Sequence, residues 1–459
     1  MNVTLIYPCV KNGEAWNSLG TGFDSMFVNH GLSSLAAVLQ KHGHAVKVLD
    51  FREHKGWLSV EQAIRDDDAA VYGIHIPTLD YHFAVKTAQL IKQLKPTAYV
   101  VAGGPHASIC PEQVANTGLF DHVFVGEGEV TFPLFVADRV AFRQTYQDKI
   151  VVCDRPELDR LPYENREVFN MKKILSTNAG FSGSKTFQQP FINVISGRGC
   201  VFRCGFCKPG EDKIFGAFRM RSLPHFMGEI KALHVQYQFK TLMIDDDSFT
   251  LSPKYLKEFC EVYRRDIGES FICQSRADFI CKNPDLVKLL KDTGLMMFFI
   301  GFESGSQRML DFMHKDVTVE QNFRAAEICR QNDLKIWANF MVGLPTETRQ
   351  EMNATFNMVR KIKPDHPSGA FFTPIVGTAL YDYCKNHDLL ITEDPSILGS
   401  RNPTVPKIKG VDYAWMNREM SQLTSPRWKL LVKPIYRKSR RVTRKVLNCL
   451  NPKHFEVSY

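Results

Sequence analysis

Three cysteines, Cys200, Cys204 and Cys207, stand in a C-x3-C-x2-C run within CVFRCGFC. Thiolates so spaced can each take one iron of a cubane iron–sulfur cluster, whereas full protein ligation of four irons needs four cysteines. The fourth iron then stays open, as a catalytic metal keeps a position free of protein, and an open iron accepts a chelating ligand. A structural zinc site is the rival reading, but zinc takes four ligands arranged in pairs, and no second pair follows at finger-like spacing. The other nine of the 12 cysteines are scattered, which fits free thiols of a reducing compartment better than a disulfide framework.

The elements that must position this triplet fall into two strand–helix alternations. The second begins just before it: FINVIS, TLMIDDD, FICQSRA, MMFFIGFE, IWANFMVG and GAFFTPI alternate with helical stretches such as LPHFMGEIKALHVQY and VEQNFRAAEICRQN. Six βα units over about 185 residues predict an open, partial (βα)6 TIM-barrel-like domain with its chemistry at the strand C-termini. In the first, residues 1–145, VTLIYP, AVKVLDF, AAVYGIHI, AYVVAGG and DHVFVGEG alternate with GLSSLAAVLQKHG and FAVKTAQLIKQLK. That rhythm predicts an α/β, doubly wound, Rossmann-like parallel sheet. Its ligands would lie beyond the strand carboxyl ends, at Tyr7 to Cys9, His75 to Asp80, Gly103 to His106 and Gly126 to Glu129. Residues 146–189, with CDRPELDRLPYENR and NAGFSGSK, read as a surface linker. The expected division is 1–145, a linker 146–189, 190–385, and a C-terminal segment 386–459.

The 459 residues suit two or three domains at about 150 residues each. Hydrophobic content of 44% and charged content of 23% exclude disordered and fibrous classes. No apolar run approaches the roughly 18 residues of a membrane span, and MNVTLIYPCV leads into a strand rather than a signal-like core. A cytoplasmic location is expected. Net charge is +9, and the tail 427–459 carries it: ten Lys or Arg stand there against Glu456. Ile435, Val442, Val446 and Leu450 fall near one helical face of that tail, among Arg437, Lys438, Arg440, Arg441, Arg444 and Lys445. This predicts peripheral contact with an anionic membrane, with Trp428 and Tyr436 at headgroup level, against the alternative of a solvated basic terminus. Nucleic-acid binding has little support, since the body adds no further positive charge.

From CVFRCGFC onward the sequence resembles the radical S-adenosylmethionine enzymes, over residues 190–385. The matching features are Phe206 before the last cysteine, IDDDSFT, CQSRAD with Arg276, GFESG with Glu303 and Ser304, MVGLPTET and FFTPIVGT. The resemblance implies that the three cysteines hold a 4Fe-4S cluster whose free iron binds the amino and carboxylate groups of S-adenosyl-L-methionine, which is cleaved reductively to a 5'-deoxyadenosyl radical. It also implies an electron donor of flavodoxin or ferredoxin type. Arg276, Glu303 and Ser304 are the candidates for holding S-adenosyl-L-methionine. Each ends a strand, where a guanidinium fork suits a carboxylate and a carboxylate accepts from a ribose hydroxyl or an ammonium. Asp245, Asp246 and Asp247 have the competing reading of loop and helix capping, and Gly343 and Pro345 read as a turn.

The first module carries neither G-x-G-x-x-G nor a P-loop. It offers glycines at a strand end, where backbone can approach a ligand closely, and the hydroxyl of Thr78. It resembles the cobalamin-binding domain that precedes the radical module in one large subfamily. The resemblance implies that Thr78, Gly103, Gly104 and His106 contact the cofactor's nucleotide tail. The D-x-H-x-x-G turn that supplies a histidine to cobalt is absent between Cys9 and Gly31. Asp80-Tyr81-His82 follows the third strand and has Val85 in place of the glycine. Cobalt is therefore expected to lack a histidine from this motif, with His106, His75 and His30 as alternatives. Together the resemblances imply a cobalamin-dependent radical enzyme, foremost a C-methyltransferase at an unactivated carbon of a small-molecule or lipid-like substrate. The alternatives are a ring-forming or rearranging enzyme without methyl transfer and a non-catalytic cobalamin sensor.

Overall fold

The computed structural model describes residues 1–10, 27–179, 188–207, 216, 218–247, 249–398 and 405–424. The basic tail 427–459 and its expected amphipathic helix lie outside the described residues, as does 11–26, most of the stretch searched for the cobalt-histidine turn.

β1 (Asn2–Tyr7), β2 (Ala45–Asp50), β3 (Val71–His75), β4 (Tyr99–Gly103), β5 (His122–Val125) and β6 (Ile150–Val152) form a parallel sheet in the order β2-β1-β3-β4-β5-β6. The chain leaves β1 for β2 on one side and returns to β3 on the other, so the switch point lies between β1 and β3, where such sheets bind ligands. β1 and β3 are apolar nearly throughout because helices cover both faces. On one face lies α1 (His30–Lys41), started by Asn29, whose side chain accepts from the Leu32 amide at 2.9 Å. Beside it α2 (Thr131–Ala137) buries Phe132 and Phe135 edge-on against Phe124.

Where five strands were expected there are six, and residues 146–174 of the expected surface linker pack against the first sheet. β6 pairs with β5, and Leu158, Phe169, Met171 and Ile174 are buried, the last three packing into the same apolar cluster as α1. Proline and charge mark irregular backbone correctly, but a three-residue strand and single buried side chains leave no periodicity to read.

The second sheet holds β7 (Phe191–Val194), β10 (Thr241–Ile244), β11 (Ser270–Ser275), β12 (Leu295–Glu303), β13 (Lys335–Val342) and β14 (His366–Phe371), all parallel in the order β14-β13-β12-β11-β10-β7. This is the expected six-unit open barrel. A separate antiparallel pair, β8 (Gly197–Arg198) and β9 (Arg219–Met220), brackets the cysteine loop. Phe259, Tyr263 and Phe271 pack at tilted and edge-on angles beneath the helical layer. Thr318 and Thr348 start their helices with capping boxes. The edge strand β14 is covered by α3 (Tyr413–Thr424): a Cβ on Gly369 would stand 2.0 Å from Met420 Sδ, so the cover depends on that glycine.

Candidate functional site

The cysteine loop is held from three directions. Gly205 donates its amide to Met313 O at 2.8 Å and accepts from the Leu380 amide at 2.9 Å. Arg276 Cζ lies over Phe202, 3.6 Å from the ring centroid, and the Lys315 ammonium lies 6.0 Å from that of Phe206. The Cys207 amide donates to Cys204 O at 3.0 Å, turning the chain between the last two thiols. Cys200 and Cys204 are half-buried and Cys207 is exposed. All three line one cavity of about 680 Å3 at the carboxyl ends of the second sheet.

The donor set fits a cluster better than a single ion. Among the described residues no three His, Cys, Asp or Glu side chains are gathered closely enough to share one metal ion. Thiolates of a four-iron cube each take a different iron and so need not converge on one point. Burial lifts the Cys204 thiol above its ordinary pKa, while Lys315 and Arg276 pull it down.

The three residues expected to bind S-adenosyl-L-methionine separate. Arg276 lines the cavity, but its Nε donates to Asp278 at 2.9 Å and its Nη2 to Lys315 O at 2.7 Å, so much of its fork braces the loop. Glu303 lines the cavity with left-handed backbone (φ 58°) at an irregularity in the β12–β13 register, an uncommon conformation for a non-glycine. Its Oε1 accepts from Lys315 Nζ at 3.0 Å. A Cβ on Gly301 would lie 2.3 Å from that oxygen. Ser304 is fully buried, its Oγ 3.1 Å from Thr355 Oγ1, and does not line the cavity. Lys315 is the residue that sequence reasoning missed. Burial alone would lower its pKa, yet Glu303 keeps it raised. It sits in an irregular loop between His314 and Asp316, both of positive φ, and no periodic pattern marks it.

A second cavity, of about 460 Å3, opens at the domain junction above the β1–β3 switch point. Its depth is apolar, between Leu5, Leu35, Val101, Phe124 and Phe132, with Gly73 and Gly103 in the wall. Nothing stands within 4 Å of a Cβ built on Gly103, whereas one on Gly104 (φ +91°) would meet His75 Nδ1 at 2.6 Å. The slot therefore leaves open space between apolar walls beside Gly103, which fits the apolar ring of cobalamin's nucleotide tail. Gly103 and Gly104 line it. Thr78 does not: the 3-10 turn Thr78–Asp80 carries it to a third cavity beside Gln113 and Thr373. Nor does His106, which is buried with Nε2 3.1 Å from Gln113 Oε1 and its ring 4.4 Å from that of Tyr81. Burial pushes its pKa down to about 4. His75 does line the slot, stacked on Tyr7, and burial with the nearby Arg52 lowers it to about 4, leaving a neutral imidazole.

Polar groups from both domains form the mouth. His30 Nδ1 lies 2.8 Å from Glu164 Oε1 and its Nε2 lies 2.8 Å from Asn193 of β7. Burial opposes its charge, but Glu164 raises its pKa. Asp246, the buried middle member of the acidic run, accepts from the Ser196 and Gly197 amides at 2.7 and 3.1 Å. It thus joins β10 to the end of β7 through loop amides, while the helix that follows is capped by Ser252 rather than by the acidic run. Asp247 lines both the slot and the cysteine cavity.

Comparison with known proteins finds two families in the chain. The B12 binding domain family matches residues 21–136 and the Radical SAM superfamily matches residues 194–359. An uncharacterized methyltransferase of Pyrococcus horikoshii is 28% identical over 379 residues, 79% of each chain. The anaerobic magnesium-protoporphyrin IX monomethyl ester cyclase of Rubrivivax gelatinosus is 27% identical over 311 residues, 63% of this chain and 54% of the cyclase, so this chain spans about half of that relative. The radical S-adenosylmethionine methyltransferase TsrM of Kitasatospora setae, solved with cobalamin and a 4Fe-4S cluster bound, shares the fold at a TM-score of 0.64 and 14% identity, with 93% of this chain and 91% of TsrM covered.

Proposed function

We propose that this chain, which belongs to the radical S-adenosylmethionine enzymes with an N-terminal B12-binding domain, is a C-methyltransferase acting on an unactivated carbon of a small-molecule or lipid-like substrate. The observation that carries the reading is that the two cavities are neighbours sharing Asp247 in their walls. A substrate held beside Asp247 would lie next to both cofactor cavities, and holding reacting groups in one place accounts for much of the rate such a site supplies. When bound, the cluster and cobalamin supply, respectively, the electron that cleaves S-adenosyl-L-methionine to a radical and the carrier of the methyl group.

The chain's own residues do the rest. Cys200, Cys204 and Cys207 anchor the cluster. Lys315 and Glu303 form a buried pair at the cavity wall, and we assign the ammonium to the carboxylate of S-adenosyl-L-methionine and Glu303 to its hydroxyl or amino groups. Arg276 braces the loop through Phe202. Gly103 and Gly104 admit the nucleotide tail, while the apolar slot excludes water. Cys207, on the exposed side, marks the face for a flavodoxin- or ferredoxin-type donor. No helix among the described residues is long and apolar enough to cross a membrane. Contact of the tail with anionic lipid remains a proposal, and liposome binding unchanged by removal of residues 427–459 would refute it.

The deciding assay supplies anaerobic holoenzyme with S-adenosyl-L-methionine deuterated in its methyl group and a reductant, over candidate substrates. Methyl transfer gives a labelled product together with 5'-deoxyadenosine. The similarity to the cyclase favours one second reading, ring formation, for which 5'-deoxyadenosine appears and the product stays unlabelled. No bound cobalamin, with the cluster intact, would overturn the methyltransferase.

A further inference from the structure

The hairpin that carries the cysteine loop is fastened at its root to the first domain. β8 and β9 place Arg198 opposite Arg219, so two arginines stand side by side where the loop leaves and re-enters the hairpin. Both reach across the domain junction. Arg198 donates from Nη2 to Glu129 Oε1 at 2.7 Å, and its Nη1 lies 3.4 Å from Glu127 Oε1. Arg219 donates from Nη2 to that same Glu127 oxygen at 2.5 Å and from Nη1 to Pro156 O at 2.9 Å. Both carboxylate side chains are at least nine-tenths buried, and Ser34 of α1 adds a 2.8 Å bond to Glu129.

This clamp has a second face. Residues 126–129, which supply the two carboxylates, line the slot together with Gly197, Arg198 and Gly199. One wall of the slot is therefore the root of the cysteine loop. Charge-assisted pairs with forked donors fix both distance and angle, and packed walls shift between discrete arrangements rather than deforming continuously. A change at the root of the loop must reshape the slot, and a molecule filling the slot must constrain the root.

We infer that Glu127, Glu129, Arg198 and Arg219 are positioning residues that couple the two cofactor sites, so that the cluster in its loop and cobalamin in its slot each favour binding of the other. The inference rests on the B12-binding reading of the slot. Because coupling between binding sites is reciprocal, it is measurable from either side.

The experiment titrates hydroxocobalamin by absorbance into the full chain with its cluster and into the same protein after chelator has removed the iron. In the wild type, affinity is at least about fivefold tighter with the cluster present, the lower end of typical couplings. In the double variant Glu127→Gln/Glu129→Gln the ratio falls to about one while cobalamin still binds. The spectrum provides a second readout: with excess reductant holding the cobalt as cob(II)alamin, the electron paramagnetic resonance of the reduced cluster changes on adding it in the wild type and changes less in the variant. Should the double variant fold poorly, Arg219→Lys keeps the charge but loses the fork, and must lower the ratio in the same direction. A wild-type ratio of one, or a ratio that persists in the variants, overturns the coupling. A wild type that binds no cobalamin overturns the B12-binding reading itself, a distinct failure.

Discussion

The two cavities are built by opposite means. The cysteine cavity belongs to one domain: its ligands lie within eight consecutive residues, and backbone bonds from Met313 and Leu380 lock the loop at Gly205. The slot at the junction is defined by what is missing. Glycines leave space in an apolar wall, and its rim joins Glu127, Glu129 and His30 to Arg198 of the other domain, with Arg219 bonded to Glu127 and Asn193 to His30 behind them. A site made of ligands fails when a ligand is removed. A site made of space fails when an atom is added, and a seam of charges fails with pH.

The largest separation comes from Cys204→Ser. Iron content and all 5'-deoxyadenosine formation disappear, since the thiolate is the metal ligand, while hydroxocobalamin still binds the chain. Loss of both cofactors together would show that the cavities are not separately built. Next is Lys315→Met. Lys315 and Glu303 are about nine-tenths buried, and stranding one charge of a buried pair costs about 3–5 kcal/mol. Chemical denaturation should show that loss, and Lys315→Met/Glu303→Gln should recover most of it, because no charge is then left alone.

The third prediction sharpens the contrast by adding atoms. Gly103 has ordinary backbone and open space before its Cβ, so Gly103→Leu fills the slot without strain. Cobalamin affinity should fall about a hundredfold, roughly 2.7 kcal/mol, with iron content unchanged and thermal stability level or higher, as expected for cavity filling. Retained affinity would mean that cobalamin does not use the slot.

This contrast also explains what the sequence made legible. The triplet, the six barrel strands and the five longer strands of the first sheet could be read because ligand spacing and runs of apolar residues are local patterns. Glu303 could be read as a strand end, but its left-handed backbone could not, and that turn sends Ser304 inward to Thr355. Thr78 and His106 stand at strand ends in the sequence, yet a 3-10 turn and a buried contact with Gln113 take them out of the slot. Lys315 and the clamp arginines gain their meaning from partners 12 to 92 residues away, a relation that periodicity does not encode.

The smallest effect tests the seam itself. His30 has its pKa raised, burial opposing and Glu164 prevailing, with Arg166 working against the charge and Asp245 for it. Glu164 is held down to about 2, against the desolvation of burial, by His30 and Arg166. A raised histidine contributes stability that is full below its unfolded value of about 6.5 and fades as pH rises through the folded value. The lowered carboxylate contributes above its unfolded value of about 4.3 and fades as pH falls toward 2. The pair therefore supports the junction best between roughly pH 4.5 and 6.5. Comparing the wild type with His30→Gln, the stability difference should shrink by about 1 kcal/mol, the net worth of one hydrogen bond, between pH 6 and pH 8.5. A difference that stays constant over that range would mean that His30 holds Asn193 and Glu164 as a neutral ring, and that shape rather than charge closes the mouth of the slot.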